Sequence, residues 1–252
     1  MLLARPATDV LFKPVMLTDA PVAVGLAFVA IVVAMLVLVL GGAARAARRV
    51  GPGAVRGVRV AGVALVGWLA LTGVLAERGF FDDFQSLPPH MLLAVGPPLL
   101  TLFALAFSRR ITPLLDALPP AWPVAAQTFR IAVEIVLWRL AVAGAAPELV
   151  TFHGRNVDIL VGLTAPVVAY FCFVRRAWPA RVAVWWNWAG IVILLNVVVH
   201  AQLSAPTPWR IFETDPPATF IADWPYIWLP AFLVPVAWLL HAVSLRQLRS
   251  PR

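Results

Sequence analysis

The chain is 252 residues long, of which 62% are hydrophobic and only 13% are charged. Soluble domains carry about twice that share of charged residues, so this composition excludes a soluble globular protein and an intrinsically disordered one. The single cysteine, Cys172, excludes a disulfide-stabilised secreted scaffold. Long apolar runs recur along the whole chain, and they predict a polytopic membrane protein.

The formal net charge of +8 raises the alternative of a nucleic-acid binder. The positions of the basic residues argue against it, because most of them lie in short clusters at the ends of apolar runs. The clusters are Arg45, Arg48, Arg49, Arg56 and Arg59; Arg109 and Arg110; Arg175, Arg176 and Arg181; and Arg246, Arg249 and Arg252. This distribution is typical of cytoplasmic loops and of contact with anionic lipid headgroups. We therefore expect a lipid bilayer as the partner and no nucleic acid.

Seven apolar runs approach the length of about 20 residues that a helix needs to cross a bilayer. The predicted spans are residues 20–40, 60–76, 91–107, 124–145, 159–174, 183–203 and 226–245. We therefore expect an all-α fold in which residues 1–252 form a single transmembrane domain, a bundle of seven helices.

The basic residues also predict the orientation of this bundle. An amino terminus outside places the 13 clustered arginines in cytoplasmic connections and leaves five basic residues outside. With seven spans, the carboxyl terminus then lies in the cytoplasm. The predominance of arginine over lysine, together with abundant alanine, suggests a GC-rich bacterial genome, and hence a multi-pass protein of the bacterial inner membrane.

Three polar side chains of the fourth predicted span share one helical face. Gln127, Arg130 and Glu134 have the spacing i, i+3, i+7, which places them on one face of a helix. Ionisable residues inside the membrane are costly, and they are functional candidates by default. We expect an intramembrane ion pair between Arg130 and Glu134, which serves either to fix helix packing or to couple the movement of a proton or ion.

A second polar group is predicted at the outer ends of spans four, five and six. Its members are Arg139, His153, Arg155, Asn156, Asp158, Asn196 and His200. Arg139 points away from Glu134 on the helical wheel, so Asp158 is its expected partner by depth. Gly162 and Pro166 loosen the fifth helix below this group. The sequence thus predicts a polar pocket that faces the periplasm.

Several kinds of chemistry are excluded or only weakly indicated. Retinal needs a lysine inside a helix, and the one lysine, Lys13, precedes the first span. His90, His153 and His200 are predicted on the outer side and are the candidates for a metal or haem site, but their spacing matches no metal-binding motif. The sequence does not identify a cofactor.

The carboxyl-terminal half resembles a family of uncharacterised bacterial multi-span membrane proteins. The resemblance rests on residues 152–166 (FHGRNVDILVGLTAP), on Trp186-Asn187 and on the segment LSAP at residues 203–206. It implies a membrane location and no particular activity.

Three functions remain open from the sequence. The first is a transporter of a small solute or ion, or a receptor, with the outer pocket as its binding site. The second is an accessory or assembly subunit of another membrane protein, or a homo-oligomer, in which the polar residues are structural. The third is a membrane enzyme that depends on a metal or haem.

Overall fold

The computed structural model describes residues 22–249, and every regular element within that range is helical. Residues 20–21 of the first predicted span lie outside the described residues, as do Arg5, Lys13 and Arg252, on which part of the predicted orientation rests.

Nine α-helices follow one another in the described part of the chain. They are α1 Val22–Val50, α2 Pro52–Glu77, α3 Met91–Phe107, α4 Thr112–Asp116, α5 Ala121–Ala126, α6 Phe129–Val142, α7 Ile159–Ala169, α8 Ala180–Ser204 and α9 Val234–Arg249. The π-helical turn Tyr170–Val174 continues α7, and a second one, Leu229–Leu233, precedes α9.

Four helical segments are long and apolar enough to span a membrane: α1, α2, α8 and the segment Leu229–Arg249. A fifth is obtained if α3 and the segment Arg109–Asp116, which bend by 68° relative to each other, are taken as one span. The segment Ile159–Val174 is apolar but shorter. The protein is therefore all-helical in its described part, with four or five candidate membrane spans.

The fourth predicted span is divided into α5 and α6. Hydrogen bonding does not stop between them, because the N–H groups of Gln127, Thr128, Arg130 and Ile131 each bond to the carbonyl three residues earlier. This is the tighter 3₁₀ pattern, which is frequent at helix ends and in the connections between helices. Helix α6 by itself has 14 residues, which corresponds to about 21 Å.

Helices α1 and α2 form an antiparallel hairpin. Gly51 joins them with φ of 137°, a conformation open to glycine, and Pro52 begins α2 at a position where its missing N–H costs nothing. Two tryptophans tie the hairpin to the last span: Trp228 Nε1 donates to the Leu69 carbonyl at 2.9 Å, and Trp68 Nε1 donates to the Ala231 carbonyl at 3.2 Å.

The apolar core lies between α1, α6 and the last span. Phe28 of α1, Leu140 of α6, and Ile227 and Phe232 of the last span are all buried in it. Part of the segment between α8 and the last span joins the same core through Phe220 and its neighbours. The polar residues described next lie among these helices.

Candidate functional site

Three polar side chains of the fourth predicted span lie inside the bundle. The exposed fractions of Gln127, Arg130 and Glu134 are 0%, 2% and 1%. A buried charge is very costly unless it is paired and hydrogen-bonded. The partners of these side chains therefore define the site.

Arg130 forms an ion pair with Asp158, with 2.9 Å between Nε and Oδ2. This contact corrects two predictions. The expected ion pair between Arg130 and Glu134 does not form within residues 22–249, and neither does the expected pair between Arg139 and Asp158. Asp158 lies beside the first turns of α6 rather than at the depth of Arg139.

Close packing of α7 against α6 explains this register. A Cβ atom placed on Gly162 would lie 2.9 Å from the backbone nitrogen of Ile131, so only glycine allows the two helices to approach so closely. Asp158 precedes Gly162 by one turn and is thereby brought to the turn between Arg130 and Glu134. Arg139 is nine residues beyond Arg130, which is about 13 Å along the helix and out of reach.

Glu134 is held by Asn156. The Asn156 Nδ2 atom donates to Glu134 Oε1 at 2.6 Å and to the Val150 carbonyl at 2.9 Å. The Asn156 Oδ1 atom accepts from the backbone N–H of Asp158 at 2.9 Å. One amide side chain therefore positions both acidic residues, and it is itself 1% exposed.

On its other side, Arg130 contacts His241 of α9, with 3.2 Å between Nη1 and Nε2. A guanidinium has donors only, so Nε2 of His241 must accept and the ring must be neutral with its proton on Nδ1. The Nδ1 atom lies 2.9 Å from Asn187 Oδ1, which can only accept. The contacts on both sides of the ring therefore require the same tautomer.

Asn187 continues this chain of hydrogen bonds toward the other end of the bundle. Its Nδ2 atom donates to Ser244 Oγ at 2.9 Å and to the Ala183 carbonyl at 2.7 Å. Gly190 makes room for the imidazole, because a Cβ atom there would lie 2.6 Å from Nε2 of His241. Asn187 and His241 are both fully buried.

These polar residues form what we call the buried network, and seven of its eight members are joined by hydrogen bonds or by the ion pair. Its members are Gln127, Arg130, Glu134, Asn156, Asp158, Asn187, His241 and Ser244. Gln127 belongs to it through its place on the face of Arg130 and Glu134, and its Nε2 atom donates to the Ala237 carbonyl at 2.9 Å.

Five buried polar atoms of the network make no hydrogen bond. They are Gln127 Oε1, Arg130 Nε, Arg130 Nη2, Glu134 Oε2 and Asp158 Oδ1. Buried polar groups are normally satisfied by protein or by ordered water. Arg130 Nε lies 2.9 Å from Asp158 Oδ2, so the two groups are held by their opposite charges, while a side-on guanidinium–carboxylate pair can make two hydrogen bonds.

The network has unequal numbers of acidic and basic groups. Two carboxylates, Glu134 and Asp158, face one guanidinium, Arg130, while the contacts of His241 require its neutral form. If both acids are ionised, the network has a net charge of −1. Binding of one proton removes that charge, and the carboxylate without a cationic partner, Glu134, is the group to receive it.

The other members of the predicted outer pocket lie on the surface in two separate groups. Arg139 and His153 are exposed and both contact Trp138: the guanidinium lies 5.9 Å from the indole ring centre, and the two ring centres of His153 and Trp138 are 6.2 Å apart. Within residues 22–249 neither side chain makes a hydrogen bond or an ion pair with the buried network.

The second surface group is centred on Phe212. The Arg155 guanidinium lies 5.4 Å from its ring centre, and the His200 imidazole stacks on it at 5.1 Å. The Nδ2 atom of Asn196 donates to the Arg155 backbone carbonyl at 2.9 Å. The backbone carbonyl of Asn196 lies 2.8 Å from His200 Nδ1. The predicted pocket is therefore divided: Asn156 and Asp158 are internal, while the other five residues form two patches of cationic and aromatic side chains.

The three candidate metal ligands are also separated. His90 stacks on Phe80 and its Nδ1 atom lies 2.8 Å from the Phe80 carbonyl, whereas His153 and His200 belong to the two surface groups. Across residues 22–249, no group of three or more histidine, cysteine, aspartate or glutamate side chains is arranged to hold a metal ion.

Sequence reasoning missed the part of the network on α8 and α9. The run that includes Asn187 is explained equally well by an aromatic belt at the membrane interface, and His241 has no polar neighbour in sequence except Ser244, three residues on. One usable signal exists: Gly190 follows Asn187 by three residues on the same helical face, which is a spacing that leaves space for a ring from a neighbouring helix.

Residues 88–249 match the family described as a domain of unknown function (DUF8737). The match covers more than half of the chain, so the protein belongs to this family. It also includes every member of the buried network. The chain matches no curated protein and no solved structure.

Proposed function

We propose that this DUF8737 protein is a multi-pass protein of the bacterial inner membrane that transports a small solute or ion, and that the buried network couples transport to protons. Glu134 is the group that takes up and releases the coupling proton. Asp158 and Arg130 hold a permanent ion pair beside it, and Asn156 responds to its charge.

The proposal includes seven spans, with the amino terminus outside and the carboxyl terminus in the cytoplasm. The arginine clusters support this orientation. Hydrogen bonding continues through the 3₁₀ turn at residues 127–131, which supports the interpretation of α5 and α6 as a single span. The apolar segment Ile159–Val174 supports a further, shorter span. Helices that are broken beside polar groups are common in transporters, where irregular backbone serves a site.

The net charge of the network is the observation on which the proposal depends. An uncompensated charge of −1 is unfavourable in the interior of an apolar bundle, so the network favours binding of one proton or another monovalent cation. Loss of that proton makes Glu134 a second attractive partner for Arg130, whose Nη2 atom has no hydrogen bond. Proton binding thus alters the contacts of three helices and of the segment before α7, as coupling requires.

The network extends along the inner half of the bundle in the proposed topology. Asn156 is bonded to Glu134 near the middle of the fourth span, and the carbonyl of the preceding residue, Arg155, accepts from Asn196 further out on α8. Asn187 lies in the third turn of α8 and Ser244 in the last two turns of α9, both toward the cytoplasm. The hydrogen bonds therefore connect the middle of the bundle with its cytoplasmic end.

The proposal can be tested without knowledge of the solute. Proteoliposomes on a solid-supported membrane report charge movement when the external pH is changed abruptly. We expect the parent protein to give a transient current, and we expect the Glu134→Gln variant to give the response of empty liposomes. Glu148→Gln is the matched control, since Glu148 is an exposed acid and the same amide replaces it.

Infrared difference spectra across the same pH range provide a second measurement. A protonated carboxyl band that disappears in Glu134→Gln but persists in Glu148→Gln supports the proposal. A current and a band that survive in Glu134→Gln contradict it. Size-exclusion profiles and helical circular dichroism of all three proteins establish that the variants remain folded.

A further inference from the structure

A groove lies at the turn between α1 and α2, far in sequence from the buried network. Its volume is about 550 Å³ and its lining consists of Arg48, Gly51, Pro52, Val55, Arg56 and Arg59. We call it the arginine groove. Arg56 and Arg59 lie one turn apart on α2, while Arg48 belongs to the last turn of α1, so the two helices bring three guanidinium groups around one space.

The positive charge of the arginine groove is not neutralised by the protein. No acidic residue occurs in α1 or in α2 before Glu77. Arg48, Arg56 and Arg59 are exposed, and their side chains make no hydrogen bond or ion pair with residues 22–249. Neighbouring Arg49, by contrast, is engaged with the Ala117 carbonyl at 2.9 Å. Three like charges around one groove repel one another, and an anion between them removes that repulsion.

The floor of the groove is open. A Cβ atom on Gly51 or on Gly53 would meet no other atom within 4 Å, so an incoming group can approach the backbone of the turn. Guanidinium groups bind phosphate oxygens through two parallel hydrogen bonds, which makes arginine well suited to this anion.

Exposed apolar side chains of the hairpin lie close to the groove. Val60 follows Arg59 directly and is 63% exposed, and Val63, one turn further along α2, is 75% exposed. Leu38 and Val37 of α1 are exposed as well, about 15 Å along the helix from Arg48. A soluble anion would leave these side chains uncovered, whereas a ligand with an anionic head and apolar tails matches both surfaces.

We propose that the arginine groove binds an anionic phospholipid, with the lipid phosphate between Arg48, Arg56 and Arg59 and the acyl chains along the exposed face of α2. This site is a defined binding position and is more specific than the general attraction of basic loops to an anionic membrane. This proposal is independent of the proposed transport, because lipid binding at equilibrium can be measured on the protein while it transports nothing.

Native mass spectrometry of the full chain released from detergent tests this proposal. The probes are phosphatidylglycerol and phosphatidylcholine, which share acyl chains and differ in net charge. We expect one phosphatidylglycerol to remain bound to the parent protein. The triple variant Arg48→Gln, Arg56→Gln, Arg59→Gln is expected to bind it about tenfold more weakly.

A second triple variant provides the matched control. Arg175→Gln, Arg176→Gln and Arg181→Gln remove the same charge from another exposed cluster at the same predicted membrane edge. We expect its affinity for phosphatidylglycerol to remain within twofold of the parent. An equal loss in both triple variants contradicts the proposal, because it shows only diffuse attraction between charges.

Two further measurements test whether the ligand is a lipid and whether the guanidinium groups bind its phosphate. Inorganic phosphate that displaces phosphatidylglycerol at equal concentration overturns the lipid assignment in favour of a soluble anion. Replacement of the three groove arginines by lysine keeps the charge but removes the paired donors, so we expect several-fold weaker binding. Full retention by the lysine variant contradicts phosphate binding by these side chains, and circular dichroism confirms that each variant is folded.

Discussion

The amino-terminal hairpin and the carboxyl-terminal helices differ in where their polar and apolar side chains lie. Apart from the arginines near their turn, α1 and α2 have few polar side chains, and much of their apolar surface is exposed, as on Val33, Val63 and Val66. In α6, α8 and α9 the interior instead contains an arginine, a glutamate and a histidine, each at most 2% exposed. The hairpin is suited to lie in lipid, whereas the other helices surround a polar interior.

This difference shows where a membrane protein places costly groups. The hairpin needs no internal partner, since its surface can remain in contact with hydrocarbon. The buried network needs contacts from several elements at once, because the partners of buried polar groups must come from inside the bundle. Substitutions in the two regions should therefore have very different consequences.

The largest expected effect follows removal of the acid that pairs with Arg130. Asp158→Ala leaves a buried guanidinium without its ion pair, which should destabilise the protein by about 3–5 kcal/mol. Glu148→Ala, an exposed acid, should change stability by less than about 0.5 kcal/mol. Reversible unfolding in mixed detergent micelles measures both variants.

The double variant Arg130→Met, Asp158→Leu completes this test. It removes both charges together and should recover most of the lost stability, because the penalty arises from one unpaired charge rather than from a missing attraction. A double variant that is as unstable as Asp158→Ala contradicts this explanation.

A smaller loss is expected at Asn156. Asn156→Leu keeps the approximate volume but leaves Glu134 Oε1 and the Val150 carbonyl without a donor, at a cost of about 2–3 kcal/mol. Asn196→Leu removes one half-buried hydrogen bond to the Arg155 carbonyl and should cost about 1 kcal/mol or less. Equal losses of stability in these two variants would show that a hydrogen bond inside the network contributes no more than a half-buried one.

The same glycine-to-alanine substitution in each region allows a direct comparison. At Gly190 an added methyl group meets His241, so Gly190→Ala should cost about 1–3 kcal/mol through overpacking. At Gly67 in α2 a Cβ atom has nothing within 4 Å, so Gly67→Ala should stabilise the helix by about 0.5–1 kcal/mol. Midpoints of thermal unfolding should therefore move in opposite directions, and a shift of the same sign contradicts the comparison.

The smallest effect is expected in the loop between α2 and α3. The backbone N–H groups of Ser86 and Gln85 donate to Asp83 Oδ1, both at 3.0 Å, and they lower the pKa of Asp83 below its ordinary value of 3.8. A lowered pKa stabilises the folded state above the ordinary pKa, and this contribution is lost as the pH falls. Asp83→Asn should therefore slightly lower the unfolding temperature at neutral pH.

The pH dependence of the Asp83→Asn effect provides its check. The difference in unfolding temperature between parent and variant should shrink as the pH is lowered below 3.8, since Asp83 of the parent is then increasingly protonated. A difference that is constant across this range would show that the charge of Asp83 has no part in it.

The helical class and the polar face of the fourth predicted span were accessible from the sequence because both depend on local patterns. Gln127, Arg130 and Glu134 share a face whatever surrounds them. The partner of Arg130 was not accessible in the same way. Glu134 is the nearest acid in sequence, but Asp158 lies on another element and reaches Arg130 only because Gly162 packs against Ile131.

His241 and Asn187 illustrate the same limit. In the sequence each is a lone polar residue in an apolar run, and such residues usually lie at an interface or satisfy themselves on their own helix. Their contact depends on the crossing of α8 and α9, which the small volume of Gly190 permits. Periodicity along one helix contains no information about that crossing.

The sequence by itself determined the local structure of this protein and the environment that suits it. Its apolar runs favour a lipid bilayer, its periodicity decides which side chains share a helical face, and its arginine clusters lie at the ends of the apolar runs. Only the tertiary structure decided which charges meet, since hydrophobic burial is nearly indifferent to register whereas an ion pair requires atoms within a few ångströms. Close contact at two glycines set that register, and with it the division of the predicted pocket into an internal network and an outer surface.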